Sequence, residues 1–143
     1  MRIAYIAFLI IIFTSCDPSD DRLVIRNRSG RSLIARFCFV KDNKLHETWG
    51  GVRPISNKEV NTISIMDSWE SEFKYAGSKD LFIIIHDIQS FTYSKELNLR
   101  FKSDSLINAG KYVYKAMSYE ELKAKDWNIV YPDDDFEKGN IFQ

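Results

Sequence analysis

Leu81-Phe82-Ile83-Ile84-Ile85-His86 is the most apolar run in the chain beyond its first fifteen residues. Six residues are too few for an ordinary core helix. Loop residues (Ala76-Gly77-Ser78-Lys79-Asp80) precede the run, so it reads as a central strand covered on both faces. Such a strand needs neighbours on either side, and the flanking sequence supplies them. Ser32 to Val40 alternates so that Leu33, Ala35, Phe37 and Phe39 share one face, the pattern of a strand on a core. Arg22 to Asn27 is an earlier strand rich in branched residues. The turn Arg28-Ser29-Gly30-Arg31 predicts that these two strands form a hairpin.

Further along, Lys41-Asp42-Asn43-Lys44 is a turn. Leu45 to Lys58 contains Trp49-Gly50-Gly51 and Pro54, which predict an irregular connection with a short strand around residues 45–48. Val60 to Ile65 alternates as a strand, and residues 67–73 suit a helical turn with Trp69 and Phe73 four apart. Two readings stand for Asp87 to Arg100. Alternation of Leu97, Leu99 and Phe101 favours an edge strand, while Tyr93, Leu97 and Phe101 would also line one face of a helix. Lys111 to Met117 is strand-like. Ser118-Tyr119-Glu120-Glu121 has capping-box spacing and opens a short helix to about Lys125, with Leu122 inward. Trp127 to Tyr131 is a last strand stopped by Pro132, and residues 133–143 form an acidic and polar tail, loose unless Phe136 or Phe142 docks. The expected fold is mainly β: an antiparallel, sandwich-like arrangement with one short helix before the C-terminal strand.

The N-terminus has a different character. Arg2 precedes an uncharged apolar run, Ile3 to Phe13, and then Thr14-Ser15-Cys16. Eleven residues of helix rise only about 16 Å, short of the roughly 30 Å of a hydrocarbon core, so a secretory signal is the better reading than a membrane span. The segment resembles a bacterial lipobox, although Phe13 stands where Leu is usual and Ser15 where Gly or Ala is usual. The resemblance implies removal of residues 1–15 and acylation of Cys16; the alternative is an ordinary signal peptide cut near Ser15. Two or three acyl chains would hold the protein essentially permanently. Asp17-Pro18-Ser19-Asp20-Asp21 follows as an acidic stem (16–21) and resembles the surface-export signal of Bacteroidetes lipoproteins. It implies an outer-membrane lipoprotein facing outward, whereas the enterobacterial sorting rule would retain it in the inner membrane.

Loss of residues 1–15 leaves 128 of 143 residues, which suits one domain, read here as 22–132. Arg2 leaves with the signal, so 19 basic side chains face 20 acidic ones. That balance gives no electrostatic case for nucleic acid. With Cys16 acylated, Cys38 has no partner in the chain, and its apolar setting suits a buried, inert thiol.

The ending Ser118 to Pro132, with Trp127-Asn128 and Tyr131-Pro132, resembles small Bacteroidetes lipoproteins. These carry a Ser/Thr-Leu-Glu-Asp-Leu-type turn, an Asn-Trp-type dipeptide, a short strand and Tyr-Pro. Asn27, Ser29, Trp69-Glu70 and the apolar strand at Leu81 are similar too, while Tyr119 and Asp126 depart from the commoner residues. The resemblance brings no functional residue with it.

Candidate chemistry is sparse. His86 and Asp87 are adjacent, so on a strand they point to opposite faces and cannot form a relay. His46 lies forty positions earlier, and two histidines without a spaced motif make a poor zinc site. Trp49 suits stacking on a sugar ring. Asp133-Asp134-Asp135 matches no calcium loop. Arg22, Arg26, Arg28, Arg31 and Arg36 make the first two strands basic, a pattern that could rest on lipid phosphates near the anchor. Asp104-Ser105-Leu106 resembles the Asp-Ser/Thr-aliphatic site of Bacteroidetes O-glycosylation, which implies a glycan at Ser105 in an expected loop.

Three functions follow as expectations, none with a cofactor or metal. The first is a non-enzymatic, lipid-anchored envelope protein that binds or supports a protein or envelope partner. The second is a surface glycan-binding accessory using Trp49. The third is a hydrolase using His86 or His46, which needs one of them in a cleft beside a carboxylate or nucleophile.

Overall fold

A computed structural model describes residues 19–87, 99–139 and 141. The described strands are β1 (Ser19–Asn27), β2 (Leu33–Lys41), β3 (Lys44–Ile55), β4 (Val60–Met66), β5 (Asp80–Asp87), β6 (Val113–Ser118), β7 (Asn128–Tyr131) and β8 (Glu137–Lys138). The helices are α1 (Trp69–Ala76), α2 (Leu99–Asn108) and α3 (Tyr119–Ala124). The strands form two sheets, ordered β4-β1-β7 and β3-β2-β5-β6-β8. Every pairing is antiparallel except that of β1 with β7. The protein is mainly β, with two facing, antiparallel-dominated sheets.

Alternation decides what lies between the sheets. Leu23 and Ile25 of β1, Ile63 and Ile65 of β4 and Ile129 of β7 meet Leu33, Ala35, Phe37, Phe39, Leu81, Ile83 and Ile85 from the larger sheet. Full burial of one such aliphatic side chain contributes about 1.5–3 kcal/mol. Trp69 of α1, Leu122 of α3 and Trp127 close one end of this core, with the two indoles 6.0 Å apart. The opposite face of β5 is covered as well. Ile84 packs with Cys38, Ile107 and Tyr112 in a second cluster to which α2 contributes. The run at Leu81 is therefore the middle strand of the larger sheet, buried on both faces.

The expected hairpin between the first two strands does not form. β1 lies in the small sheet and β2 in the large one, and the chain crosses between them at Arg28–Ser32. Buried Asn27 holds the corner: its amide donates to the carbonyls of Arg31, Ile55 and Ser56, and its oxygen accepts from Ser29 N–H and Oγ–H. A short local turn is thereby converted into an inter-sheet crossing.

The irregular connection expected over 45–58 is instead one long edge strand, β3. Its register against β2 shifts between Arg36 and Cys38, and Gly51, at φ +59°, accommodates the bulge. At the edge of the sheet Pro54 needs no ladder donor on its outer side. Gly50 lies where β3 crosses β4, since a Cβ there would fall 2.6 Å from Ile63 Cγ2.

Residues 99–101 are helical, which overturns the edge-strand reading; Tyr93 and Leu97 lie outside the described residues. Ser103 and Ile107, four apart and buried, seat α2 against the sheet, and Asp104-Ser105-Leu106 is helix rather than loop. The capping box forms as expected, Ser118 Oγ accepting from Glu121 N–H and Glu121 returning to Ser118 N–H. β7 is not the last strand: β8 follows it and pairs with β6. Phe136 meets Tyr131 edge-on at 5.0 Å, so this part of the tail is docked; Phe142 lies outside the described residues. Among the described residues no helix is long and apolar enough to cross a membrane.

Candidate functional site

Among the described residues, buried polar groups gather between α2 and the outer face of the larger sheet. Register sets it up. Ile34, Arg36 and Cys38 of β2 point away from the main core, beside His86, Ile84 and Phe82 of β5. Arg36 therefore sits between two apolar residues on a covered face and is only 2 % exposed. A charge so placed must be paired. Its Nη2 lies 2.9 Å from Glu47 Oε1 on β3, and its Nη1 lies 2.5 Å from Asp104 Oδ1 and 3.4 Å from Ser103 Oγ on α2. Arg100 Nε is 3.3 Å from the same Glu47 oxygen. Arg36 Nε finds no hydrogen-bond partner among the described residues.

His86 completes the group. Its Nδ1 is 3.2 Å from Lys111 O and its Nε2 is 2.9 Å from Ser103 Oγ. A carbonyl only accepts, so the proton is assigned to Nδ1, and Nε2 accepts from the Ser103 hydroxyl. Burial lowers the imidazole pKa, the bond to Lys111 O opposes this, and the Arg36 charge adds to the lowering, so the ring is neutral near pH 7. Taken alone, a serine hydroxyl facing the free nitrogen of an oriented imidazole is a base-activated nucleophile.

Solvent does not reach the pair among the described residues. Ser103 and His86 are both 0 % exposed. A cavity of about 650 Å³ opens nearby, between α2 and the β2–β3 hairpin, but Arg36, Asn43, Lys44, Leu45, Arg100, Asp104, Ile107 and Asn108 line it, not Ser103 or His86. The network fastens α2 to the sheet.

The other expected residues are dispersed. Cys16 lies outside the described residues. His46 is exposed on β3 opposite Phe39, while His86 lies opposite Ile34, five positions away along β2 and on its other face, so the histidines do not meet. Asp87, on the opposite face from His86, pairs with Arg31 at 2.6 Å. Trp49 is 66 % exposed on β3 rather than in a loop, whereas Trp69 and Trp127 are buried. Ser105 is exposed on α2. Asp133 faces Arg28, while Asp134 binds Lys125 and accepts from Val130 N–H. Among the described residues no group of three or more His, Cys, Asp or Glu is placed to hold a metal. Cys38 is buried, and burial pushes its thiol up to about 12.

A second polar cluster joins the start of β1 to both helices at that end. The Asp20 carboxylate accepts from Arg22 Nε (2.9 Å) and Nη2 (2.5 Å) and from Trp69 N–H (3.0 Å). Burial alone would raise the Asp20 pKa; these bonds outweigh it and hold the carboxyl below its ordinary range. Arg22 Nη2 also reaches Glu70 at 2.6 Å, Tyr119 OH donates to Glu70, and the guanidinium lies 4.5 Å over the Trp127 ring. Glu70 is held down at about 2, mainly by Arg22 and then by Tyr119.

Comparison with protein-family models, with curated proteins and with solved structures finds no match. Neither Ser103 nor Asp20 is singled out by the sequence, which groups Arg36 with a basic face for lipid phosphates, whereas Arg36 is buried and paired with Glu47 and Asp104. For Arg36 the signal was present: an arginine alternating with Ile34 and Cys38 on a face that Leu81–His86 required to be covered. Ser103 and Asp20 had no such local mark.

Proposed function

We propose that this chain is a lipid-anchored envelope protein of non-enzymatic type, tethered at Cys16 in the outer membrane and facing outward, whose β-sandwich binds or supports a protein or envelope partner. One observation carries the reading. β1 opens at Ser19, three residues beyond Cys16, inside the stretch expected to be a free stem, and Asp20 is already buried. In the sequence, the apolar run and its cysteine thus end only three positions before the first described strand, a spacing that suits a tether. The buried Ser103–His86 pair supports a non-enzymatic role, because the cavity beside it does not reach either atom. The likeness of residues 118–132 to small Bacteroidetes lipoproteins points the same way.

Metabolic labelling with a fatty-acid analogue tests the anchor: the wild-type chain takes the label and Cys16→Ala does not. Protease added to intact cells tests the outward face, and full protection contradicts it. Pull-down from detergent-extracted membranes, compared with a mock extract, then identifies the partner.

A glycan-binding accessory role is the second reading, favoured by the exposed ring of Trp49. The other two tryptophans are buried, so a glycan that shifts indole fluorescence acts through Trp49, and Trp49→Ala abolishes the shift. We propose separately that Ser105 carries an O-glycan, now on an exposed helical face. An intact mass equal to peptide plus lipid excludes it.

A further inference from the structure

The structure limits how the domain can stand on the lipid surface. This inference rests on the anchor reading above. Two residues separate Cys16 from Ser19, and the three Cα-to-Cα steps span at most about 11 Å fully extended. The described strand does not lengthen that tether. Its second residue, Asp20, is bonded to Arg22 and to the backbone N–H of Trp69, and Arg22 continues to Glu70 and over Trp127. The start of β1 is thereby fixed to α1 and beside α3.

Ser19 pairs with Met66, the last residue of β4, and α1 crosses from there to the start of β5, closing this end of the sandwich. Its inner stripe is spent on the core: Trp69 is buried, and Phe73 meets Phe39 at 5.0 Å and Tyr119 at 5.7 Å. The outer side presents Tyr75, 80 % exposed, next to exposed Lys74. Met66 is 48 % exposed. Lys41 Nζ lies 3.7 Å from where a Cβ on Gly77 would stand, so the tip of the β2–β3 hairpin, with Lys44, sits beside the end of α1; Lys79 follows two residues after Gly77. The same end carries exposed Asp42 and Asp67, half-buried Glu72, and Glu70, which Arg22 and Tyr119 occupy. Exposed Met66 and Tyr75, with Lys74, Lys41 and Lys79 at the same end, suit a headgroup layer, where the apolar parts enter and the ammonium groups stay at the phosphates.

We infer that the α1-closed end, with Tyr75 and Met66 entering the headgroups, is the face that rests on the bilayer holding the Cys16 lipid. Asn27 is eight strand rises from Ser19, about 26 Å. Arg28, Arg31 and Lys58 are then carried away from the membrane rather than onto its phosphates, and their end is the one offered to a partner.

The test uses the full, lipid-processed chain in vesicles of phosphatidylethanolamine and phosphatidylglycerol containing a headgroup nitroxide quencher. A fluorophore is placed on Lys74→Cys or on Lys58→Cys; buried Cys38 stays unlabelled. The inference expects the Lys74→Cys label to be quenched at least threefold more strongly than the Lys58→Cys label. Equal quenching, or stronger quenching at position 58, overturns it. Flotation of Cys16→Ala separates the two ideas. If that variant floats with vesicles like wild type, the anchor fails and this inference with it. If only the wild type floats and position 58 is the more quenched, the orientation alone is wrong.

Discussion

Ser103 Oγ and His86 Nε2 stand 2.9 Å apart, and both residues are wholly buried. The contact joins α2 to the central strand. Ser103→Ala leaves the imidazole nitrogen without its donor, and an unsatisfied buried acceptor costs about 1–3 kcal/mol. Urea unfolding of Ser103→Ala is expected to show that loss while partner capture by the folded variant is retained. Loss of capture at full stability would return the pair to a functional role.

His86 also predicts an acid limb to stability. Its folded pKa lies below the ordinary value, chiefly through burial, so as pH falls the unfolded chain takes up the proton first. The unfolded imidazole titrates near 6.5. Stability contributed by the neutral ring is present above that pH and is lost from about pH 6.5 downward, until the folded pKa is reached, at up to about 1.4 kcal/mol per unit. Urea midpoints between pH 7.5 and 5.5 should fall for the wild type and flatten for His86→Gln; matching slopes would assign the limb elsewhere.

Arg36 distinguishes a buried ion pair from an exposed one. Arg36→Met leaves Glu47, whose side chain is only 19 % exposed, with exposed Arg100 in place of its buried partner, and removal of one buried partner costs about 3 kcal/mol. Asp104 is 49 % exposed at its side chain, so Asp104→Asn should cost under about 1 kcal/mol although its contact to Arg36 is the shorter. Chemical denaturation of the two variants measures the difference, and equal losses would contradict the burial argument.

The thiol of Cys38 should be silent in the native state. It is 0 % exposed and its pKa is pushed up to about 12 by burial, which leaves almost no thiolate at neutral pH. A maleimide or disulfide reagent is expected to modify it only in denaturant, and stoichiometric labelling of the folded protein within minutes would refute the packing around it.

At the other cluster, Asp20→Ala removes the acceptor of Trp69 N–H and one of the two carboxylates on Arg22. A loss of about 2 kcal/mol is expected, together with faster amide exchange at Trp69. Unchanged exchange there would mean that the start of β1 is not fastened as described.

Much of the architecture was legible because strand periodicity is local. Leu33, Ala35, Phe37 and Phe39 declare one buried face by their own spacing, and Ser118 with Glu121 sets its helix start within four residues. The mistakes share a cause. Gly50, Gly51 and Pro54 look like breakers, yet an edge strand with a bulge tolerates all three, and edge position is not written in neighbouring residues. The hairpin expectation fails because Gly30 permits a tight turn, while Asn27, which bonds to Ile55 and Ser56, turns the chain into the other sheet.

Residue order alone settled the apolar run of residues 3–13 ahead of Cys16, the single further cysteine and the strand character of Leu81–His86, because each depends on composition or on a spacing of a few residues. Which strands pair, that Arg36 is enclosed by Glu47 and Asp104, that Ser103 meets His86 out of reach of solvent, and that Asp20 is fastened to the start of α1 were decided only by folding. Those relations join positions eleven to sixty-eight residues apart or more, and such contacts exist only once two sheets and α2 have been packed together.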